Sequence, residues 1–120
     1  FEKKIFNLNN NGNHLRDFTS VNDVVKILIK LINKNITSNK IFNICSNKPI
    51  LIKDILKKIQ SRVGKINYKN VKRNNADVLN THGNNKKILN EVKFKKFASF
   101  YSELEKILEW HQKIKNKKYF

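Results

Sequence analysis

The sequence is poor in several residues that organise other folds. Its 120 residues include no Met, one Cys, one Pro, one Trp and three Gly. A lone cysteine, Cys45, excludes an internal disulfide and fits a reducing, cytoplasmic compartment. One Cys and three scattered histidines, His14, His82 and His111, give no metal-ligand spacing. No apolar run approaches the ~20 residues needed to span a bilayer, and no signal peptide is evident. Gly12, Gly64 and Gly83 lie too far apart to form one Gly-rich phosphate-cradling turn. The missing Met, and an opening (Phe1-Glu2-Lys3-Lys4-Ile5-Phe6) that reads like mid-strand, point to part of a longer protein.

Acidic residues are scarce as well. Nine Asp and Glu face 26 Lys and Arg, for a net charge of +17. Such a field attracts nucleic acid or another polyanion. Yet only Arg16, Arg62 and Arg73 are arginines, whereas dedicated nucleic-acid readers favour Arg for bidentate contacts. The abundant Lys, Asn, Ile and Phe are residues of A/T-rich codons, so genome composition explains much of the charge. The field still draws any anionic ligand. A hydrophobic content of 39% allows a modest core in one domain or part of one.

What is present is organised around Arg16-Asp17-Phe18-Thr19-Ser20-Val21-Asn22-Asp23-Val24-Val25. It reads as a short strand, a charged pair and a helix start. Thr19 or Ser20 can cap that helix, with Asp23 three residues after Ser20 as in a capping box. Val21, Val24, Val25, Leu28, Leu31 and Ile32 follow at helical spacing. An Arg before a helix N-terminus suits a phosphate, because paired guanidinium donors join unpaired backbone N–H groups. The plainer reading is an Arg-Asp surface ion pair at a junction found in many folds.

The rest of the chain alternates short strands with helices. Lys3–Leu8 reads as a strand and Asn9–Asn13 as a turn, Gly12 and the asparagines tolerating positive φ. His14 is expected to be a solvated loop residue. A first helix over Val21–Asn33 leads to a polar loop, Lys34-Asn35 and Thr37-Ser38-Asn39. A strand follows at Lys40–Cys45, with Phe42 and Ile44 on one face and Ile41 and Cys45 on the other. Cys45 is read as a packing residue. The second helix, Ile52–Val63, buries Ile52, Ile55, Leu56, Ile59 and Val63 and stops at Gly64. Ile66–Val71 is a strand. Asn85–Leu89 resembles a short D-x-S-K-A helix of a known enzyme family that ends in a turn, here Leu89-Asn90-Glu91, before an extended Val92–Lys95. The last helix spans Phe100–Lys115 with Ser99 as N-cap. Phe100, Leu104, Ile107, Leu108, His111 and Ile114 share one face of it, and Trp110 is a packing anchor at the edge.

Three segments in order resemble the NAD-dependent sugar-nucleotide epimerases and dehydratases, the extended short-chain dehydrogenases. The Arg16–Asp23 stretch is similar to the family's R-D-F/Y-T/I-x-V-x-D. Phe42–Ile50 is similar to its Y/F-N-I/L-G-x-x-x-P/x-V/I, with Cys45 in place of Gly. Arg73–Asn84 is similar to R-x-G-D-V-x-x-T-x-A-D, with Asp77, Val78 and Thr81 matching. Ser20, Asn22, Ala76, Asn84 and Glu103 depart from the pattern; the family usually has an aromatic at Ser20 and often Gly at Glu103. The resemblance implies an α/β fold. The chain would be the C-terminal, substrate-binding part of a Rossmann-type enzyme, three main helices with short strands, lacking the Gly-rich Rossmann half. Residues 1–120 would form one nucleotide-sugar-binding segment. The complete enzyme would use NAD to oxidise a sugar hydroxyl and then return the hydride. Arg16 would hold the nucleotide diphosphate, Arg73 the phosphates and Asp77 the ribose. Implied partners are a nucleotide-sugar, the protein's own N-terminal Rossmann domain and a second copy in a dimer, with no membrane or nucleic acid.

The family's chemistry needs a helical Tyr-x-x-x-Lys, in which the Lys lowers the Tyr pKa. Tyr68 and Lys72 match that spelling but lie on and just past a predicted strand. There, residues four apart are some 13 Å distant, whereas on a helix they would be neighbours. No catalytic residue is therefore expected here, and the segment alone should be inactive. Two other readings stay open: a small basic nucleic-acid-binding module, and a degenerate, inactive relative of the family.

Overall fold

The computed structural model describes residues 5–35 and 39–116. Lys3 and Lys4 of the expected first strand, and Thr37 and Ser38 of the polar loop, lie outside them. The chain divides into two compact units, each made from two separated stretches. One holds residues 5–17 with Asn47–Gly83, the other 18–46 with 84–116. No helix among the described residues is long and apolar enough to cross a membrane.

The first unit is held mainly through its backbone. Strand β1 (Phe6–Asn9) pairs in parallel with β4 (Tyr68–Val71), Phe6 opposite Tyr68 and Asn9 opposite Val71. A 3-10 turn at Asn10–Gly12 follows β1, with φ of 48°, 52° and 71° at Asn10, Asn11 and Gly12. The Asn-rich sequence suits this left-handed run, because Asn and Gly enter that region most easily. A Cβ on Gly12 would sit 2.9 Å from the Lys53 backbone nitrogen, so only glycine lets the turn approach the start of the next helix. Strand β2 (Leu15–Arg16) pairs antiparallel with β3 (Ile50–Leu51), which runs directly into that helix, α2 (Ile52–Val63). The α2 limits are those its apolar period predicts. Leu8, Ile55 and Leu56 are the buried hydrophobic residues of this unit among those described, and Gly64 ends the helix at φ 86°.

The second unit is helical. Helix α1 (Val21–Ile32), helix α3 (Lys86–Val92) and helix α4 (Phe100–Asn116) belong to it. Ile27 and Ile88 are fully buried in a cluster with Val92 and Phe97, bordered by Leu31, Phe42, Ile44, Leu89 and Phe94. Each fully buried Ile contributes roughly 1.5–3 kcal/mol over exposure. Asp23 is also buried, and its carboxylate accepts the Ala98 N–H at 2.6 Å. It therefore tethers the approach to α4 rather than completing a capping box. Ser20 holds the N-cap position of α1 without a side-chain cap bond, since its hydroxyl donates to Glu103 instead.

Several expectations are corrected in this unit. The inward face of α1 is Val24, Ile27 and Leu31, whereas Val21, Val25, Leu28 and Ile32 are exposed. The apolar residues cover more than half of the helix circumference, and the packed face lies at one edge of that arc, beside the buried Asp23. Lys40–Cys45 forms no strand, because it has no ladder partner among the described residues. Its alternation still holds in part, with Phe42 and Ile44 on the core and Ile41 86% exposed. Helix α3 continues through Leu89-Asn90-Glu91 to Val92, and the left-handed Lys93 ends it. Ile88 and Val92 stand four apart and are both buried, which carries the helix one turn further. On α4, Leu104 and Leu108 face inward while Trp110 and His111 are exposed. Two residues past Leu108 is ~200° round the helix, so Trp110 is not a packing anchor.

Candidate functional site

Strand β2 places Arg16 at the centre of the predicted site. Its Nη2 donates to Asp77 Oδ1 at 2.7 Å, and its Nη1 donates to the carbonyls of Leu15 at 2.9 Å and Leu79 at 3.3 Å. The Arg16 and Asp77 side chains are 22% and 30% exposed, enough for a ligand to reach them. Three of the five guanidinium donors are thus engaged. The other two meet no partner among the described residues.

A tight turn delivers the remaining residues. The Asp77 N–H bonds the Asn74 carbonyl at 3.0 Å, and the Ala76 N–H bonds the Asn74 side chain at 3.0 Å. Such an Asx turn is what Asn offers a loop. It brings Arg73 back so that its Nη1 donates to the Asp77 carbonyl at 3.2 Å. Arg16, Arg73 and Asp77 therefore meet, all within the first unit. Two guanidinium groups against one carboxylate leave the trio at +1, which suits an anion.

Other features are not brought to this point. Tyr68 stands on β4 against the Phe6 ring, 5.8 Å between centroids, with Lys72 just beyond the strand. They do not form the helical pair that proton transfer needs. His14 is half-buried, with its Nδ1 shielded from solvent, because the start of α2 folds onto its carbonyl through the Ile52 N–H. It is not the solvated loop residue the sequence leads one to expect. A separate cleft of about 420 Å³ in the second unit is lined by Phe18, Ser20, Phe100, Glu103 and Trp110 among others, and it contains none of the three site residues.

The glycines do not fit a dinucleotide. Gly12 is packed against Lys53, Gly64 closes α2, and the Gly83 N–H is given to the Asp17 carboxylate. Each has a local partner or task, and they make no common cradle. Sequence reading missed Asp17, which it treated only as a possible ion-pair partner of Arg16. It is instead an acceptor for backbone N–H groups at both ends of neighbouring segments. The matched Thr81 was the one hint, since its hydroxyl accepts the Asp17 N–H.

Comparison with known proteins bears on this arrangement. The model of the NAD dependent epimerase/dehydratase family matches residues 2–45, which include Arg16. Protein CapI of Staphylococcus aureus is 26% identical, over 85% of this chain and 36% of its own length. MoeE5, solved with UDP-glucuronic acid and NAD, superposes with a TM-score of 0.84 at 19% identity, over 92% of this chain and 37% of that one. The dTDP-glucose 4,6-dehydratase of Bacillus anthracis, solved with NAD, gives 0.79 at 21% identity, over 93% and 36%. The chain thus spans little more than a third of the length of these relatives. At these identities the superpositions establish the fold, a piece of the Rossmann-type extended short-chain dehydrogenase architecture. In motif order, in sequence and in fold, this chain resembles the NAD-dependent epimerases and dehydratases.

Proposed function

We propose that this chain is the substrate-binding portion of an NAD-dependent nucleotide-sugar epimerase or dehydratase. The convergence of Arg16, Arg73 and Asp77 in one unit carries the reading. The two guanidinium groups would hold the diphosphate by charge-assisted hydrogen bonds. Asp77 Oδ2, which has no partner among the described residues, would accept a ribose hydroxyl. The solved relatives support this ligand class, since MoeE5 was captured with UDP-glucuronic acid and with UDP-glucose. NAD would be held by residues outside this chain, in an N-terminal Rossmann domain, and the segment alone would be inactive. The exposed Val21, Val25, Leu28 and Ile32 of α1 offer apolar surface for such a domain. A cytoplasmic enzyme, dimeric when complete, agrees with this reading.

Equilibrium titration of the full-length protein with UDP tests it, beside assays of turnover on a panel of nucleotide-sugars. Saturable UDP binding that Arg16→Ala weakens about tenfold or more is expected. Binding of random duplex DNA with steep salt dependence and no UDP affinity would favour the basic nucleic-acid module instead. UDP binding without turnover on any sugar would mark a degenerate relative.

A further inference from the structure

Adjacent Arg and Asp residues on a surface commonly pair with each other. Here they enter separate networks. Arg16 reaches Asp77, 61 residues away in sequence. The Asp17 carboxylate instead accepts three backbone N–H groups: Asn47 at 3.1 Å and Gly83 at 3.1 Å on Oδ2, and Lys48 at 3.4 Å on Oδ1. Its own N–H donates to Thr81 Oγ1 at 3.1 Å. Asn47 has a left-handed φ of 58°, and this turn presents two successive N–H groups to one anion, a small backbone nest.

The segment 77–83 is laid along β2 at every second residue. Asp77 meets the Arg16 side chain, and Leu79 accepts the Leu15 N–H at 3.0 Å. Thr81 donates its N–H to the Leu15 carbonyl at 3.1 Å, and Gly83 reaches Asp17. On the other side of β2, residues 47 and 48 precede β3 and bond to the same carboxylate. A one-residue slip of either segment would turn its side chains to the opposite face. We infer that Asp17 is a positioning residue: it fastens both segments that flank β2 at one end, and so sets the spacing of Arg16 and Asp77. The inference rests on reading that pair as the nucleotide-diphosphate site.

The test is equilibrium binding of UDP to the full-length protein, with NAD titrated in parallel. Asp17→Ala removes all three acceptor bonds and is expected to weaken UDP binding about tenfold. Asp17→Asn should restore part of it, to about threefold weaker than the wild type. Its carboxamide oxygen can keep the Asn47 and Gly83 bonds, while the longer Lys48 bond is lost because the NH₂ group and the Lys48 N–H are both donors. NAD affinity should stay within about twofold of wild type in both variants. Should Asp17→Ala fail to fold, Thr81→Val and Asp17→Asn decide the matter, each with UDP weakened about two- to threefold and NAD unchanged. Equal UDP affinity in wild type and variants would overturn the positioning role, as would parallel losses of UDP and NAD. A wild-type protein that ignores UDP would overturn the functional reading and this inference with it, an outcome distinct from the other two.

Discussion

In the unit of residues 5–17 and 47–83, Leu8, Ile55 and Leu56 are the buried hydrophobic side chains, and short two-stranded pairings with backbone-to-carboxylate bonds do most of the joining. In the unit of 18–46 and 84–116, Ile27 and Ile88 are fully buried among other apolar side chains, and one whole face of α1 remains exposed. The first unit is directional and polar; the second relies on apolar burial. The proposed site residues lie in the first, where hydrogen bonds hold side chains at defined distances. Apolar packing fills space but orients polar groups only indirectly. The second unit instead leaves Val21, Val25, Leu28 and Ile32 of α1 exposed.

The largest effect that would sharpen this contrast is in the second unit. Ile27→Ala should destabilise the protein by about 2–5 kcal/mol, as for other buried Ile truncations. Urea midpoints measure it. A change below about 1 kcal/mol would show that the helical cluster is not the main source of stability there.

A smaller effect is expected for the Arg16–Asp77 pair. A double-mutant cycle with Arg16→Ala and Asp77→Ala should give a stability coupling of about 0.5–1 kcal/mol, because both side chains are partly exposed and screened. The coupling should shrink as salt rises. Additive single mutants would mean that the pair is not held as the structure places it.

The smallest effect is electrostatic and belongs to the second unit. Glu103 titrates below the usual 4.5, first because Lys106 bonds it and then because Ser20 does, with burial opposing. Glu91 is lowered likewise by Lys34 and then Lys40. A depressed carboxylate stabilises the fold above its unfolded pKa, and that stabilisation is lost as pH falls through the folded pKa. Stability should therefore decline as pH drops below the 4.5 of an ordinary glutamate. Glu103→Gln should flatten the decline in part, leaving the share due to Glu91. Urea midpoints at acid and neutral pH check this, and an unchanged slope in the variant would refute it.

The same Glu103 has a second partner in this unit. Ser20 and Glu103 both depart from the family pattern, and they meet: the Ser20 hydroxyl donates to Glu103 Oε2 at 2.9 Å, while Lys106 holds Oε1 at 2.6 Å. These two departures bond to one another although they lie 83 residues apart in sequence. Their meeting place is the cleft of the second unit.

Much of the fold was legible because it is written locally. The α2 limits follow from a single apolar face and a terminal glycine, and the turn after β1 follows from asparagines and Gly12. The rejection of Tyr68 and Lys72 follows from strand geometry alone. Arg16, Arg73 and Asp77 were legible as separate residues through motif resemblance. Their meeting was not, since no local signal links positions so far apart.

The sequence by itself determined the limits of α2, that the turn after β1 accepts positive φ, and which three residues are candidates for a nucleotide diphosphate. These depend on side-chain type, periodicity and backbone freedom within a few residues. Only the tertiary structure decided which face of α1 packs, that Lys40–Cys45 lacks a ladder partner in this chain, and that Asp17 turns away from Arg16 to bind backbone. Each of those depends on the register between segments distant in sequence, and register is settled by pairing in space rather than by composition.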